Sequence, residues 1–148
     1  MTKTYITHSE TETANVGCEL APLLPGGSVL LLFGDLGAGK TVFVRGLAEA
    51  LGVDRDRVSS PTFTLMQEYR RGRVRLVHVD LYRLNESREI DELGLEELGL
   101  DSVLAIEWAE KLPRPIADAI EVRIEHGVGD TRQLTIINLP SYPITKSL

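Results

Sequence analysis

The segment Gly34-Asp35-Leu36-Gly37-Ala38-Gly39-Lys40-Thr41 carries the plainest chemistry in the chain. It has the form G-x-x-x-x-G-K-[ST]. Glycines let a backbone curl until successive N–H groups point inward at phosphate oxygens. A helix that starts behind such a loop adds its positive dipole end. Lys40 then brings a mobile charge to the terminal phosphates, and the Thr41 hydroxyl is the expected Mg²⁺ ligand. Asp35, Leu36, Gly37, Ala38, Gly39, Lys40 and Thr41 are therefore the predicted phosphate contacts. At average residue frequencies the pattern arises by chance in about one chain in two hundred of this length.

Two carboxylates answer the demand for a metal. Leu76-Val-His-Val-Asp80 reads as a strand ending in an acid, the form of a Walker B segment. An acid at the carboxyl end of a central strand lies where open α/β sheets bind ligands. Asp80 is expected to hold Mg²⁺, directly or through water; the plainer reading is an aspartate that caps the next turn. Glu107 ends the run Val103–Ile106 in the same way. It would complete the Mg²⁺ shell or orient the attacking water, and the sequence does not separate these roles. The expected catalytic set is Lys40, Asp80 and Glu107, and the expected metal set is Thr41, Asp80 and Glu107. Between loop and acid lies Ser59-Ser-Pro-Thr-Phe-Thr64. It reads either as a switch that reaches the γ-phosphate through Thr62 or Thr64, or as a proline-stiffened turn.

Other chemistry-bearing residues read as structural. Arg70, Arg71, Arg73 and Arg75 form the one basic cluster and suit a solvated hairpin tip better than an RNA-docking patch. His78 and His126 lack partner spacing for a metal. Cys18 has no local histidine, and Trp108 reads as a rim or core residue.

The elements that must position these groups are legible from pattern. Ser9-Glu-Thr-Glu12 fits a capping box, with Ser9 as N-cap and Glu12 reaching back. Val16, Leu20, Leu23 and Leu24 share a helical face, but Pro22 ends or kinks the helix near Leu20. Val29–Phe33 is a solid apolar run, the mark of a central strand buried on both faces. From Thr41 the period turns helical through Val44, Leu47, Ala48 and Leu51, and Gly52 stops it. Thr62–Tyr69 and Val74–Asp80 read as a hairpin. Asn85 to Leu98 reads as mostly helical, with Ile90, Leu93 and Leu98 inward. Ile120–His126 and Gln133–Leu139 form a second hairpin around Gly127-Val-Gly-Asp130. The sum is a mixed α/β sheet.

Composition bounds the function. With 148 residues the chain reads as one domain, 1–148. At 43% apolar and 26% charged it is ordinary globular usage, not a disordered or coiled-coil chain. The longest apolar run, Val29–Phe33, falls far short of the roughly 18 residues of a membrane span. The opening MTKTYITHSE lacks a signal peptide's apolar stretch, and the single Cys18 forms no internal disulfide, so a reducing compartment is expected. A net charge of −6 argues against a chain whose main work is gripping nucleic acid. No asparagine precedes a lysine, so the N-K-x-D segment that reads guanine is missing and ATP is the expected nucleotide. A lid typical of small-molecule kinases does not fit into the remaining chain.

At this point the residues resemble a known family. The loop to Thr41 followed by Arg45-Gly46, then Ser60-Pro-Thr-Phe-Thr-Leu65, His78-Val-Asp-Leu-Tyr-Arg-Leu84 and Glu107-Trp108 look like the TsaE (YjeE) family. The resemblance runs from about Ser9 to the last hairpin. It implies a three-layer P-loop NTPase-like fold with a mixed, mainly parallel sheet and antiparallel hairpins. It implies a cytoplasmic protein that binds ATP or ADP with Mg²⁺ and hydrolyses ATP weakly alone. It implies work on the TsaB–TsaD complex, which modifies adenosine 37 of tRNA with a threonylcarbamoyl group, so that tRNA is met indirectly through the partner. Carried onto this sequence, Lys40 and Thr41 match the phosphate and Mg²⁺ positions. Asp80 and Glu107 match the two acids, and Ser60–Thr64 the switch-like loop, with Thr62 facing the nucleotide. Glu10 and Arg132 fall where family members approach the nucleotide. The readings kept beside it are a small-molecule kinase and a nucleotide-gated binding module that never turns over.

Overall fold

A computed structural model describes residues 1–35, 37–54, 57–59, 61, 64–71 and 74–140. Its strands are β1 (Lys3–Thr7), β2 (Val29–Phe33), β3 (Met66–Arg71), β4 (Val74–Asp80), β5 (Val103–Glu107), β6 (Ile120–His126) and β7 (Arg132–Ile137). The helices are α1 (Glu10–Leu20), α2 (Lys40–Ala50), α3 (Ser87–Asp91) and α4 (Leu95–Leu98). Seven strands join in one sheet in the order β1-β7-β6-β2-β5-β4-β3. The central four, β6, β2, β5 and β4, run parallel, while β3, β7 and β1 are added through antiparallel pairings. The α/β class and the mixed sheet are as expected.

The solid apolar run of β2 is explained by what covers it. Leu30 and Leu32 face a cluster with Phe43, Val44 and Leu47 of α2 and Val16 and Leu20 of α1. Leu31 faces the opposite side, with Val77, Val79, Leu104 and Ile106 under Ile90 of α3 and Leu95 of α4. Both faces of a parallel centre are therefore dry, so alternation disappears from the sequence. Helices thus lie on both sides of the sheet.

Several local expectations meet a physical correction. Ser9 does cap α1, accepting the Glu12 N–H at 3.1 Å, but Glu12 reaches one residue further back, to the His8 N–H at 2.7 Å. Pro22 sits in a 3-10 turn, Ala21–Leu23, after α1 ends at Leu20. The described part of the first hairpin begins at Met66 rather than Thr62, because Thr64 and Leu65 turn and Leu65 sits at φ 69°. The stretch from Asn85 to Leu98 is two short helices, since Gly94 takes φ 65° between them. β1 had no signal in the sequence. It is an edge strand with mostly exposed side chains, so it carries no apolar period.

α1 and α2 cross with their backbones nearly touching. A Cβ on Gly46 would lie 1.7 Å from the Ala14 carbonyl oxygen, and one on Gly17 would lie 2.4 Å from that of Phe43. Only glycine lets the two helices approach this closely. The crossing matters for function, because α1 begins with Glu10 and α2 begins with Lys40 and Thr41.

Candidate nucleotide site

The parallel centre sets the register of the site. Leu32 of β2, Glu107 of β5 and Asp80 of β4 are neighbours across three parallel strands. The carboxyl ends of these strands therefore share one edge of the sheet. β2 leaves that edge into the glycine-rich turn, which runs straight into α2. Gly37 (φ 80°) and Gly39 (φ 118°) hold the turn in left-handed backbone, and Gly39 is the N-cap of α2. The first N–H groups of a helix have no partner within it, so the start of α2 presents donors to the space above the loop.

Lys40 is buried, with 5% of its surface exposed. Its ammonium donates to the Gly34 carbonyl and lies 3.9 Å from the centre of the Trp108 ring. Burial lowers its pKa from 10.5, while Glu107, Glu110, Asp80 and Asp35 pull it back up. Thr41 donates its hydroxyl to Glu107 Oε2 at 2.9 Å. The hydroxyl proton is thereby spent on the carboxylate, and the oxygen lone pairs stay open to a cation. Asp80 is buried, and its Oδ1 accepts the Tyr82 N–H at 2.8 Å. The turn-capping role weighed for Asp80 is thus real, and it sits beside the acid's place on the shared edge.

Two adjoining clefts open over the loop. The first, about 360 Å³, is lined by Lys40, Thr41, Asp80, Glu107, Tyr82 and Trp108 together with Glu10, Gly37, Gly39 and Val42. The second, about 320 Å³, is lined by Ser9, Thr13, Ala38, Asp130 and Arg132, and shares Glu10, Gly37, Gly39 and Val42 with the first. The acids Asp80 and Glu107 lie in the first cleft and Arg132 in the second. A groove of about 410 Å³ between α4 and the Pro113–Pro115 segment lies elsewhere and holds none of the predicted residues. The chemistry singles out the paired cleft rather than this groove.

The predicted residues converge. Lys40, Thr41, Asp80, Glu107, Gly37, Gly39 and Glu10 line the first cleft, and Ala38 and Arg132 line the second. Arg132 also braces the loop, its Nε donating to the Ala38 carbonyl at 3.0 Å. Asp35 is exposed, and its carbonyl accepts the Ala38 N–H at 2.9 Å within the turn. Leu36, Thr62 and Ser60 lie outside the described residues. The described end of the switch-like segment is tied to the site: the Leu65 carbonyl accepts the Asp80 N–H at 2.9 Å.

Some lining residues had no signal. Tyr82 enters from a turn, Thr13 from α1 and Asp130 from the β6–β7 hairpin, which only the fold brings together. His78 was read as structural. It is fully buried, yet its Nε2 lies 2.5 Å from Glu107 Oε2. Its spacing two residues before Asp80 on a strand was the available clue. Trp108 is more than a rim residue. It takes left-handed backbone, φ 60°, which costs a non-glycine residue energy, and its ring contacts both the Lys40 ammonium and Tyr82.

An Mg²⁺ site fits this donor set. The available ligands are oxygens, one hydroxyl and two carboxylates. Among the described residues no group of three or more His, Cys, Asp or Glu forms a metal cage. Mg²⁺ is ordinarily held in this way, by one or two protein oxygens, waters and the phosphates of a ligand, rather than by an all-protein cage.

Comparison with known proteins agrees with the motif pattern. The family model for "Threonylcarbamoyl adenosine biosynthesis protein TsaE" matches residues 7–134. A tRNA threonylcarbamoyladenosine biosynthesis protein TsaE from Nostoc is 43% identical, over 92% of this chain and 85% of its own length. The protein of that name from Aquifex aeolicus is 41% identical, over 82% of this chain and 87% of its own. A crystal structure of Bacillus subtilis YdiB superposes with a TM-score of 0.69 at 32% identity, covering 92% of this chain and 84% of that one. Among the described residues no helix is long and apolar enough to cross a membrane. With its glycine loop, its two strand-end acids and these relatives, the chain belongs to the TsaE family of tRNA threonylcarbamoyladenosine biosynthesis.

Proposed function

We propose that the chain is a cytoplasmic Mg²⁺-dependent ATPase that acts on the TsaB–TsaD complex and meets tRNA through that complex. The observation that carries the reading is the meeting of Lys40, Thr41, Asp80 and Glu107 in one cleft at the start of α2. Family membership supports the place in tRNA modification. The absence of an N-K-x-D segment favours adenine over guanine.

The chain's own groups divide the work. Gly37, Gly39 and the start of α2 cradle the phosphates with backbone donors. The Lys40 ammonium exchanges the Gly34 carbonyl and the Trp108 face for the outer phosphate oxygens. Burial, which lowers the pKa of Lys40, means that a phosphate partner relieves a desolvated charge rather than competing with water for it. Thr41 and the acids Asp80 and Glu107 would hold Mg²⁺, which would supply positive charge to offset that of the phosphates. The same acids hold and orient the water that attacks the γ-phosphate. Glu10, Thr13, Asp130 and Arg132 receive the nucleoside end. Thr62 of the switch-like segment belongs to the phosphate side of this reading.

Catalysis here is positioning and electrostatics, so loss of one acid should separate binding from turnover. In Asp80→Asn and Glu107→Gln, phosphate release is expected to drop about 100-fold or more while ADP affinity falls far less. Lys40→Ala should lose nucleotide binding itself. Hydrolysis at the parent rate in all three would refute the assignment of the cleft. ATP consumed in step with phosphorylation of a metabolite would replace it with a kinase. Tight nucleotide binding with no release would replace it with a gated binding module.

A further inference from the structure

Resting on the ATPase reading, the geometry points to His78 as a positioning residue that fixes the Glu107 carboxylate, and through it the Thr41 hydroxyl, for Mg²⁺. His78 and Asp80 share a face of β4, because strand side chains alternate. In register, His78 lies beside Ala105 and Asp80 beside Glu107. The imidazole therefore sits one strand-step beneath the acids, on the side of the sheet that α2 covers. It is 0% exposed, and Glu107 is 3% exposed.

One oxygen receives both contacts. Glu107 Oε2 lies 2.5 Å from His78 Nε2 and accepts the Thr41 hydroxyl at 2.9 Å. A carboxylate only accepts, so the proton of the imidazole must sit on Nε2. The other ring nitrogen, Nδ1, is buried and has no hydrogen-bond partner among the described residues. A bare lone pair tolerates that position better than an N–H does. The donor from below and the donor from the side together pin one carboxylate oxygen, so the acid cannot rotate away from the cleft. They also leave the Thr41 lone pairs directed off Glu107.

Metal ligands are commonly held in this way by a buried partner behind them, and loss of that partner costs about 10–100-fold in metal affinity or activity. A histidine that merely filled space would be replaceable by any apolar side chain of its size. The structure assigns it instead a single necessary atom, the Nε2 proton.

The test compares His78→Gln, whose amide N–H can reach the Nε2 position, with His78→Met, which keeps bulk and loses the donor. In the nucleotide-free parent, long-range ¹H–¹⁵N spectra of the imidazole should show a protonated Nε2 and a bare Nδ1. In His78→Met, the Mg²⁺ concentration for half-maximal phosphate release should rise about 10–100-fold, with ADP affinity measured without Mg²⁺ unchanged. His78→Gln should stay within about 3-fold of the parent on the same titration. A protonated Nδ1 in the parent overturns the assignment whether or not either variant folds. So does a folded His78→Met with the parent's Mg²⁺ requirement. Failure of the ATPase reading looks different: the parent itself would release no phosphate, while the tautomer spectrum would still decide how His78 meets Glu107.

Discussion

Replacing Gly46 by alanine tests whether the α1–α2 crossing sets the shape of the site. On an exposed helix the change would stabilise by about 1 kcal/mol, through helix propensity. Here the new methyl would stand 1.7 Å from the Ala14 carbonyl oxygen, against the 3.4 Å at which ordinary contact begins. The obstacle is backbone, so no side-chain rotation relieves it and the helices must part. Forced overpacking costs about 1–3 kcal/mol, and an overlap of this depth belongs at the upper end. The net is a loss of about 2 kcal/mol, or about 4–8 °C in melting temperature for a chain of this size. Gly17→Ala meets the Phe43 carbonyl at 2.4 Å and should lose about 1 kcal/mol. Both clashes are relieved by the same separation, so the double variant should lose less than the sum. Gly26, with nothing within 4 Å of its virtual Cβ, is the control and should stay within about 0.5 kcal/mol of the parent as alanine. Circular dichroism melts of the parent and these four variants are sufficient. A Gly46→Ala variant that melts at or above the parent would refute the crossing, and with it the account of how Glu10 and Lys40 are brought to one cleft.

The contacts around the loop lead to further expectations. Burial lowers the pKa of Lys40 in the folded chain below 10.5, so between those two values the unfolded state binds more protons. The stability of the parent relative to Lys40→Met should therefore rise with pH across that window; urea unfolding of the pair that shows a flat or falling difference contradicts it. Trp108 is the one tryptophan, and the Lys40 ammonium lies on its face, so its emission should change on adding ADP and should respond far less in Lys40→Met. Arg132 braces the loop through the Ala38 carbonyl, and Arg132→Ala should weaken ADP binding by about 1–3 kcal/mol in calorimetry; an unchanged affinity would mean that the loop holds its shape without the brace.

How much of this was legible depends on the range of the interaction. The glycine loop, Asp80 and Glu107 were readable because each is set by a local rule: a turn that needs glycine, or a strand that ends in an acid. β2 and α2 were readable because their apolar periods are complete. The stretch after Asn85 was half legible: Ile90 is inward as expected, but Gly94 breaks the helix by taking left-handed backbone. What stayed hidden is non-local. The register that sets Leu32, Glu107 and Asp80 side by side is a property of three strands distant in sequence. His78 gains its meaning only from that register, since nothing within β4 shows that a carboxylate of β5 will lie 2.5 Å away. Gly17 and Gly46 each look like a weak helical residue alone, and become intelligible only as a pair of facing surfaces.

The central claim is that Lys40, Thr41, Asp80 and Glu107 form a hydrolytic nucleotide site that serves a partner. The most direct test is phosphate release from ATP with Mg²⁺, measured for this chain alone and then with TsaB, TsaD and tRNA. Slow release alone, a clear rise with the partners, and loss of both in Glu107→Gln are expected. A rate that ignores the partners, or that survives the loss of Glu107, would contradict that claim.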